Sequence, residues 1–123
     1  MIGKCFYYDG FQTVSHLFVV LCPSLEDPDT YICVNLTTKR EGSDPTCEIR
    51  ADEHPSLTSP ISVAYYALAK EFPAALIERL SLGISDMRSD VLARIQKSPL
   101  TDESRLKIRY KKALLAYLNA SPR

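Results

Sequence analysis

Two histidines and one short polar run carry most of the side chains in this sequence that could do chemistry. His16 stands directly before the apolar run Leu17-Phe18-Val19-Val20-Leu21. The run Asn35-Leu36-Thr37-Thr38-Lys39-Arg40 leaves a second strand-like segment with two hydroxyls and two cations. His54 sits in the loop Asp52-Glu53-His54-Pro55-Ser56-Leu57-Thr58-Ser59-Pro60. An imidazole titrates near neutral pH and can carry a proton in either direction. Hydroxyls donate hydrogen bonds, and a guanidinium can hold a phosphate through two parallel ones. These are the groups that RNA phosphodiester cleavage needs when no metal ion assists. A base takes the 2′-hydroxyl proton, an acid protonates the departing 5′-oxygen, and donors hold the charge growing on the phosphorane.

Taken singly, each residue has a plainer reading. Threonine is frequent in strands on propensity alone, Lys39 and Arg40 suit a solvated turn, and His54 can simply hydrogen-bond its own loop. The chemical reading depends on convergence, and convergence depends on strand pairing. Segments 4–8, 17–22, 30–36 and 46–50 are rich in β-branched and aromatic residues and are separated by turn clusters such as Asp9-Gly10 and Asp27-Pro28-Asp29. Residues 17–21 are apolar on both faces, as in a strand at the centre of a sheet. If segments 17–22 and 30–36 pair antiparallel, the start of one lies near the end of the other. His16 then comes close to Thr37, Thr38, Lys39 and Arg40, and the flexible loop can bring His54 to the same end.

The remaining elements follow from punctuation. Residues 61–68 are expected as a fifth strand, so the first half is predicted to be a small β-barrel or sandwich. Pro73 opens a helix that stops at Gly83. Ser85 can cap a second helix with Met87, Val91, Leu92 and Ile95 on one face, and Pro99 ends it. Thr101 can cap a third, with Leu106, Tyr110, Leu114, Tyr117 and Leu118 along one stripe. The expected class is α+β, with two to three helices after about five strands.

Composition sets the outer bounds. A chain of 123 residues, 46% hydrophobic and 24% charged, is expected to fold around one core. The first residues lead straight into Cys5-Phe6-Tyr7-Tyr8 without an apolar signal segment, which predicts a cytoplasmic protein. Cys5, Cys22, Cys33 and Cys47 form no closely spaced pair, so buried free thiols are expected rather than a metal site. No glycine-rich phosphate loop or nucleophile elbow is present, and no cofactor is expected. Formal charge is zero overall but unevenly placed. Residues 1–99 hold nine Lys/Arg against thirteen Asp/Glu, whereas residues 100–123 hold six against two. That division marks 100–123 as a basic amphipathic addition to a mildly acidic body.

The order of these pieces resembles the PemK/MazF-like toxin family. The likeness spans residues 3 to about 97 and is carried by His16-Leu17-Phe18-Val19-Val20-Leu21, Val34-Asn35-Leu36-Thr37-Thr38, Asp44-Pro45-Thr46-Cys47-Glu48-Ile49 and the Ser62-Val63 strand start. The resemblance implies an SH3-like barrel over 1–99, a homodimer, metal-independent cleavage of single-stranded RNA, and control by a small acidic antitoxin. It places Thr37 at the family's hydroxyl position. At the usual catalytic arginine stands His16, and at the following proline stands Leu17. A histidine can take over proton transfer but not a permanent phosphate clamp, so Arg40 or Lys39 must supply the charge. The loop between Tyr8 and His16 is also short beside the family's glycine-rich one.

In this enzyme reading His16, Thr37, Thr38 and Arg40 are catalytic, while Lys39, His54, Arg105, Arg109, Lys111 and Lys112 contact RNA. Two further readings stand beside it. One is a non-catalytic module binding nucleic acid or protein through the same barrel end, with the basic tail dominating affinity. The other is a structural partner that docks the stripe of the third helix on another chain.

Overall fold

The computed structural model describes residues 1–10 and 15–120. The described residues form six strands and three α-helices: β1 (Cys5–Tyr8), β2 (His16–Pro23), β3 (Thr30–Thr38), β4 (Glu48–Arg50), β5 (Ile61–Ala64), β6 (Lys70–Pro73), α1 (Ala74–Leu80), α2 (Ser89–Lys97) and α3 (Ile108–Ala120). The class is α+β, as composition and punctuation predict. No helix among them is long and apolar enough to cross a membrane.

All the ladders are antiparallel, in the order β1-β2-β3-β5-β4, with β6 joining β3 beside β5. The nine-residue β3 divides its free edge between two partners. Leu36, Thr37 and Thr38 pair with β5, while Thr30 to Cys33 pair with β6. Between β5 and β6 the chain makes one short 3-10 turn, Tyr66–Leu68, and the amide of Tyr65 donates to the Asn35 carbonyl at 2.9 Å. The expected fifth strand over 61–68 is therefore a four-residue strand and a turn. The alternating Ile61 and Val63 mark the strand, which Ala64 ends opposite Leu36, while Ala67 falls in the turn and Ala69 directly after it.

The apolar run of β2 is explained by cover on both faces. Leu17, Val19 and Leu21 point into one cluster with Val34, Leu36, Val91, Ile95, Leu106, Tyr110 and Leu114, so α2 and α3 lie on that side. Phe18 and Val20 point into a second cluster with Phe6, Cys33, Phe72 and Ile77, so α1 lies on the other. A register shift between Val20 and Cys22 turns both Leu21 and Cys22 toward the larger cluster. Gln96 donates from Nε2 to the Leu21 carbonyl at 2.9 Å, and the Tyr66 hydroxyl donates to the Ile95 carbonyl at 2.7 Å. These bonds tie α2 to the sheet.

That two-sided cover corrects the expected five-stranded barrel. Among the described residues the ladder path ends at β1 and β4 and does not close. Helices bury the two faces of the sheet, so closure is not needed to complete the core. The sixth strand was hidden in Lys70-Glu71-Phe72-Pro73, where Phe72 is the only buried residue. Helix starts also differ from expectation. α2 begins at Ser89, because the segment before it is tied to the chain start, the Met87 amide donating to the Gly3 carbonyl at 2.8 Å. α3 begins at Ile108 rather than after Thr101, because Ser104 closes a turn by accepting from the Leu106 amide at 3.1 Å. The stripe of α3 packs on its own sheet. Leu106, Tyr110 and Leu114 are buried there, with Tyr117 and Leu118 packed against the same cluster. Residues 100–120 thus share the core of the preceding segment.

All four cysteines are free and buried. Burial pushes the thiols of Cys5 and Cys22 up to about 12 and raises that of Cys33 well above its ordinary value. At neutral pH these three are protonated apolar fillers.

Candidate functional site

β2 and β3 position the groups singled out in the sequence. Leu17 pairs with Leu36, so the next step of the same register sets His16 opposite Thr37. Directly opposed residues of an antiparallel pair have Cβ atoms about 4.5–5.5 Å apart and share a face. His16 also pairs with Tyr8 on β1. Thr37 pairs with Val63 and Thr38 with Ser62 on β5. Residues 16 and 37 follow the parity of Phe18 and Asn35, and Thr38 follows that of Leu36 on the opposite face.

At this end of the sheet a cleft of about 320 Å³ opens, lined by His16, Thr37, Thr38 and Arg40 among others. The rest of its wall is the proline-bounded loop and neighbouring strand ends, contributing Tyr7, Ser56, Thr58, Ser59 and Ser62. Its described lining includes eight hydroxyl-bearing residues, one arginine and one histidine, and no carboxylate. In a body with more acids than bases, that is a strongly biased patch. It offers donors where charge on a bound anion would lie. Within it Thr38 Oγ1 and Ser59 Oγ are 2.7 Å apart, and the Tyr7 hydroxyl donates to the Ser56 carbonyl at 3.2 Å. Arg40 is exposed, and the turn beneath it is closed by its amide donating to Ser43 Oγ at 2.8 Å. Gly42, at φ +81°, supplies the left-handed residue that turn needs.

Two expected members are engaged elsewhere. Lys39 Nζ forms an ion pair with Glu48 on β4 at 2.5 Å and does not line the cleft. His54 is buried, 2% exposed, with Nε2 2.7 Å from the Ser85 carbonyl and Nδ1 accepting from the Ser56 amide at 3.0 Å. A carbonyl can only accept and an amide N–H can only donate, so the ring is held as the neutral Nε2–H tautomer. It contributes to the cleft indirectly, by anchoring the loop that carries Ser56, Thr58 and Ser59.

Arg105, Arg109, Lys111 and Lys112 do not line this cleft either. Arg105 lines a separate cleft with Asp44 and Thr101. Lys111 Nζ donates to the Thr101 carbonyl at 2.7 Å. Arg109 lies 5.0 Å from the Tyr110 ring centroid and, with Lys112, lines a cleft beside Ser24, at the far end of β2. At about 3.3 Å per residue, the seven steps from His16 to Pro23 put that end ~23 Å away. The short loop ahead of His16 falls largely on residues 11–14, outside the described residues.

Tyr7 and the serine-threonine loop were missed by the sequence reading. Their signal was present in Ser56-Leu57-Thr58-Ser59, where three hydroxyls occur in four residues between two prolines. Among the described residues, no group of three or more His, Cys, Asp or Glu side chains is placed to hold a metal ion. No protein-family model, no curated protein and no solved structure matches this sequence.

Proposed function

We propose that this protein cleaves single-stranded RNA by attack of a 2′-hydroxyl on the adjacent phosphodiester, without a metal ion, as a toxin of the PemK/MazF-like kind. The observation that carries the reading is the cleft that joins His16, Thr37, Thr38 and Arg40 in a wall of hydroxyls free of carboxylates. The His16 imidazole removes the 2′-hydroxyl proton as the 2′-oxygen bonds to phosphorus. The bond from phosphorus to the 5′-oxygen then breaks, leaving a 2′,3′-cyclic phosphate on one product. The Tyr7 phenol, in the same cleft, gives the departing 5′-oxygen its proton. Thr37, Thr38 and Arg40 hold the charge that gathers on the non-bridging oxygens. In-line attack needs a splayed nucleotide, which a single strand supplies.

The reading brings partners with it. A small acidic antitoxin fits a donor-rich cleft without carboxylates, and two copies of the chain form the working unit. Four buried free thiols agree with a reducing compartment such as the cytoplasm. An SH3-like arrangement of β1 to β5, left open by the helices, belongs to the same proposal.

Binding without cleavage is the second reading. It is favoured by the engagement of Lys39 with Glu48, which leaves Arg40 as the one Lys or Arg in the described lining. One experiment separates the two. Wild type and His16→Ala are expressed and compared for growth arrest and for cleavage of a labelled single strand. Cleavage by wild type that falls by roughly 10²–10⁴-fold in the variant is expected for loss of a proton carrier. Equal cleavage in both, or none in either, overturns the mechanism; RNA retention without cleavage selects the binding module.

A further inference from the structure

A second cleft, of about 90 Å³, lies on the other side of His16, and the reaction above gives it no task. Phe18 and Asn35, directly opposed across β2 and β3, lie at its centre. Tyr8 on β1 stands to one side and Leu68, 46% exposed, to the other. The Lys70 ammonium reaches over from β6, 5.8 Å from the Tyr8 ring centroid and 5.9 Å from that of Phe18.

Asn35 is the odd residue here. It is 5% exposed in the middle of a strand whose neighbours are Val34 and Leu36, and its Oδ1 is buried with no hydrogen-bond partner among the described residues. An apolar residue would pack there against Phe18 without that penalty, because a buried amide oxygen left unpaired is unfavourable. A carboxamide offers a donor beside an acceptor. The edge of every nucleobase presents the complementary pair.

We propose that this cleft is a nucleobase subsite, taking one unstacked base of the strand whose phosphate lies against His16 and Arg40. The proposal rests on the ribonuclease reading and adds the groups that hold the base. The base lies against the Tyr8 ring, as single-stranded nucleic acid commonly does on aromatic side chains. Lys70 closes over it, and the Asn35 carboxamide pairs with its edge. His16 lines both clefts, so the base in one and the phosphate in the other belong to the same or adjoining nucleotides.

The test uses strands that cannot be cleaved. A five-residue 2′-O-methyl backbone, wholly abasic, is compared with the same backbone carrying one central base, each labelled for fluorescence anisotropy at low salt. With the wild-type chain the single base is expected to raise affinity about tenfold or more, the scale of one base stacked on an aromatic ring. Asn35→Leu should shrink that gain below about twofold while leaving the abasic strand's affinity unchanged. Lys70→Gln, at an exposed position that does not endanger folding, should shrink it as well. Arg40→Ala should weaken both strands alike. If the abasic strand binds and the base adds nothing, the subsite is overturned and the phosphate cleft stands. A gain that survives both substitutions also overturns it. If neither strand binds, the subsite and the ribonuclease reading fail together.

Discussion

The chain has two histidines, and the regions around them are built on opposite terms. Around His54 the buried polar side chains are held by protein partners. Glu53, its side chain 2% exposed, accepts from the Arg50 amide at 2.9 Å and from both terminal nitrogens of Arg94, at 2.6 and 3.0 Å. Arg50 and Arg88 approach the same carboxylate at 3.7 and 4.0 Å. His54 itself is held at both ring nitrogens. Around His16 the groups line open clefts, and the one full guanidinium there, Arg40, is exposed. Two segments with similar residue types therefore do different work. One joins β4, the loop after it and α2 into a fixed frame, and the other lines an open cleft with hydroxyls, an imidazole and a guanidinium. Burial of the polar groups, rather than their identity, separates frame from cleft.

The comparison is tested most strongly at Glu53. Glu53→Gln keeps the shape of the frame but removes the charge that three arginines approach. Taking one partner from a fully buried pair costs about 3–5 kcal/mol. Arg94 keeps 39% of its side chain exposed, so a loss of about 2–3 kcal/mol is expected in chemical unfolding. The pH dependence sharpens the prediction. Hydrogen bonding from Arg94 holds the Glu53 carboxyl below its ordinary value of 4.5. A carboxyl lowered by folding contributes stability that is complete above its unfolded pKa and disappears as pH falls through the folded one. The gap between wild type and Glu53→Gln should therefore hold at neutral pH, narrow as the pH falls below 4.5, and vanish only once the pH has passed through the lowered folded value. Equal stability of the two at pH 7 would show that the frame does not depend on this charge.

The same contrast explains what could be read from the sequence. The centre of the sheet was legible because Leu17-Phe18-Val19-Val20-Leu21 has only one use, as a strand covered on both faces. The juxtaposition of His16 with Thr37 followed from pairing that strand with its neighbour. Lys39 was misplaced because its partner, Glu48, is nine residues along the chain, and only the fold sets β4 beside the end of β3. His54 was read as free to approach the cleft because nothing local reveals that Ser85, thirty-one residues away, offers a carbonyl to it. The open sheet was missed for a similar reason. Phe72 gives one alternating apolar residue, too little to announce a strand, and the cover supplied by α1 appears only once Phe72 and Ile77 meet Phe6 and Phe18. Local pattern reports which faces are apolar. It does not report which polar groups will find partners far along the chain.

The smallest effect is expected where frame and cleft meet, at His54. His54→Ala removes the hydrogen bond to the Ser85 carbonyl and the one from the Ser56 amide, for a combined loss of about 2 kcal/mol. His54→Asn places a carboxamide oxygen near the position of Nδ1 and should keep the Ser56 bond, halving that loss to about 1 kcal/mol. Because the ring does not line the cleft, neither change removes a reacting group. Cleavage should fall only a few-fold, through displacement of Ser56 and Ser59, and it should fall further in Ala than in Asn. A loss of cleavage in His54→Asn as large as that of His16→Ala, with stability unchanged, would make His54 a proton carrier and dissolve the distinction between the two histidines. A graded loss that tracks stability instead assigns His54 to the frame, and leaves the chemistry to the one imidazole that faces both clefts.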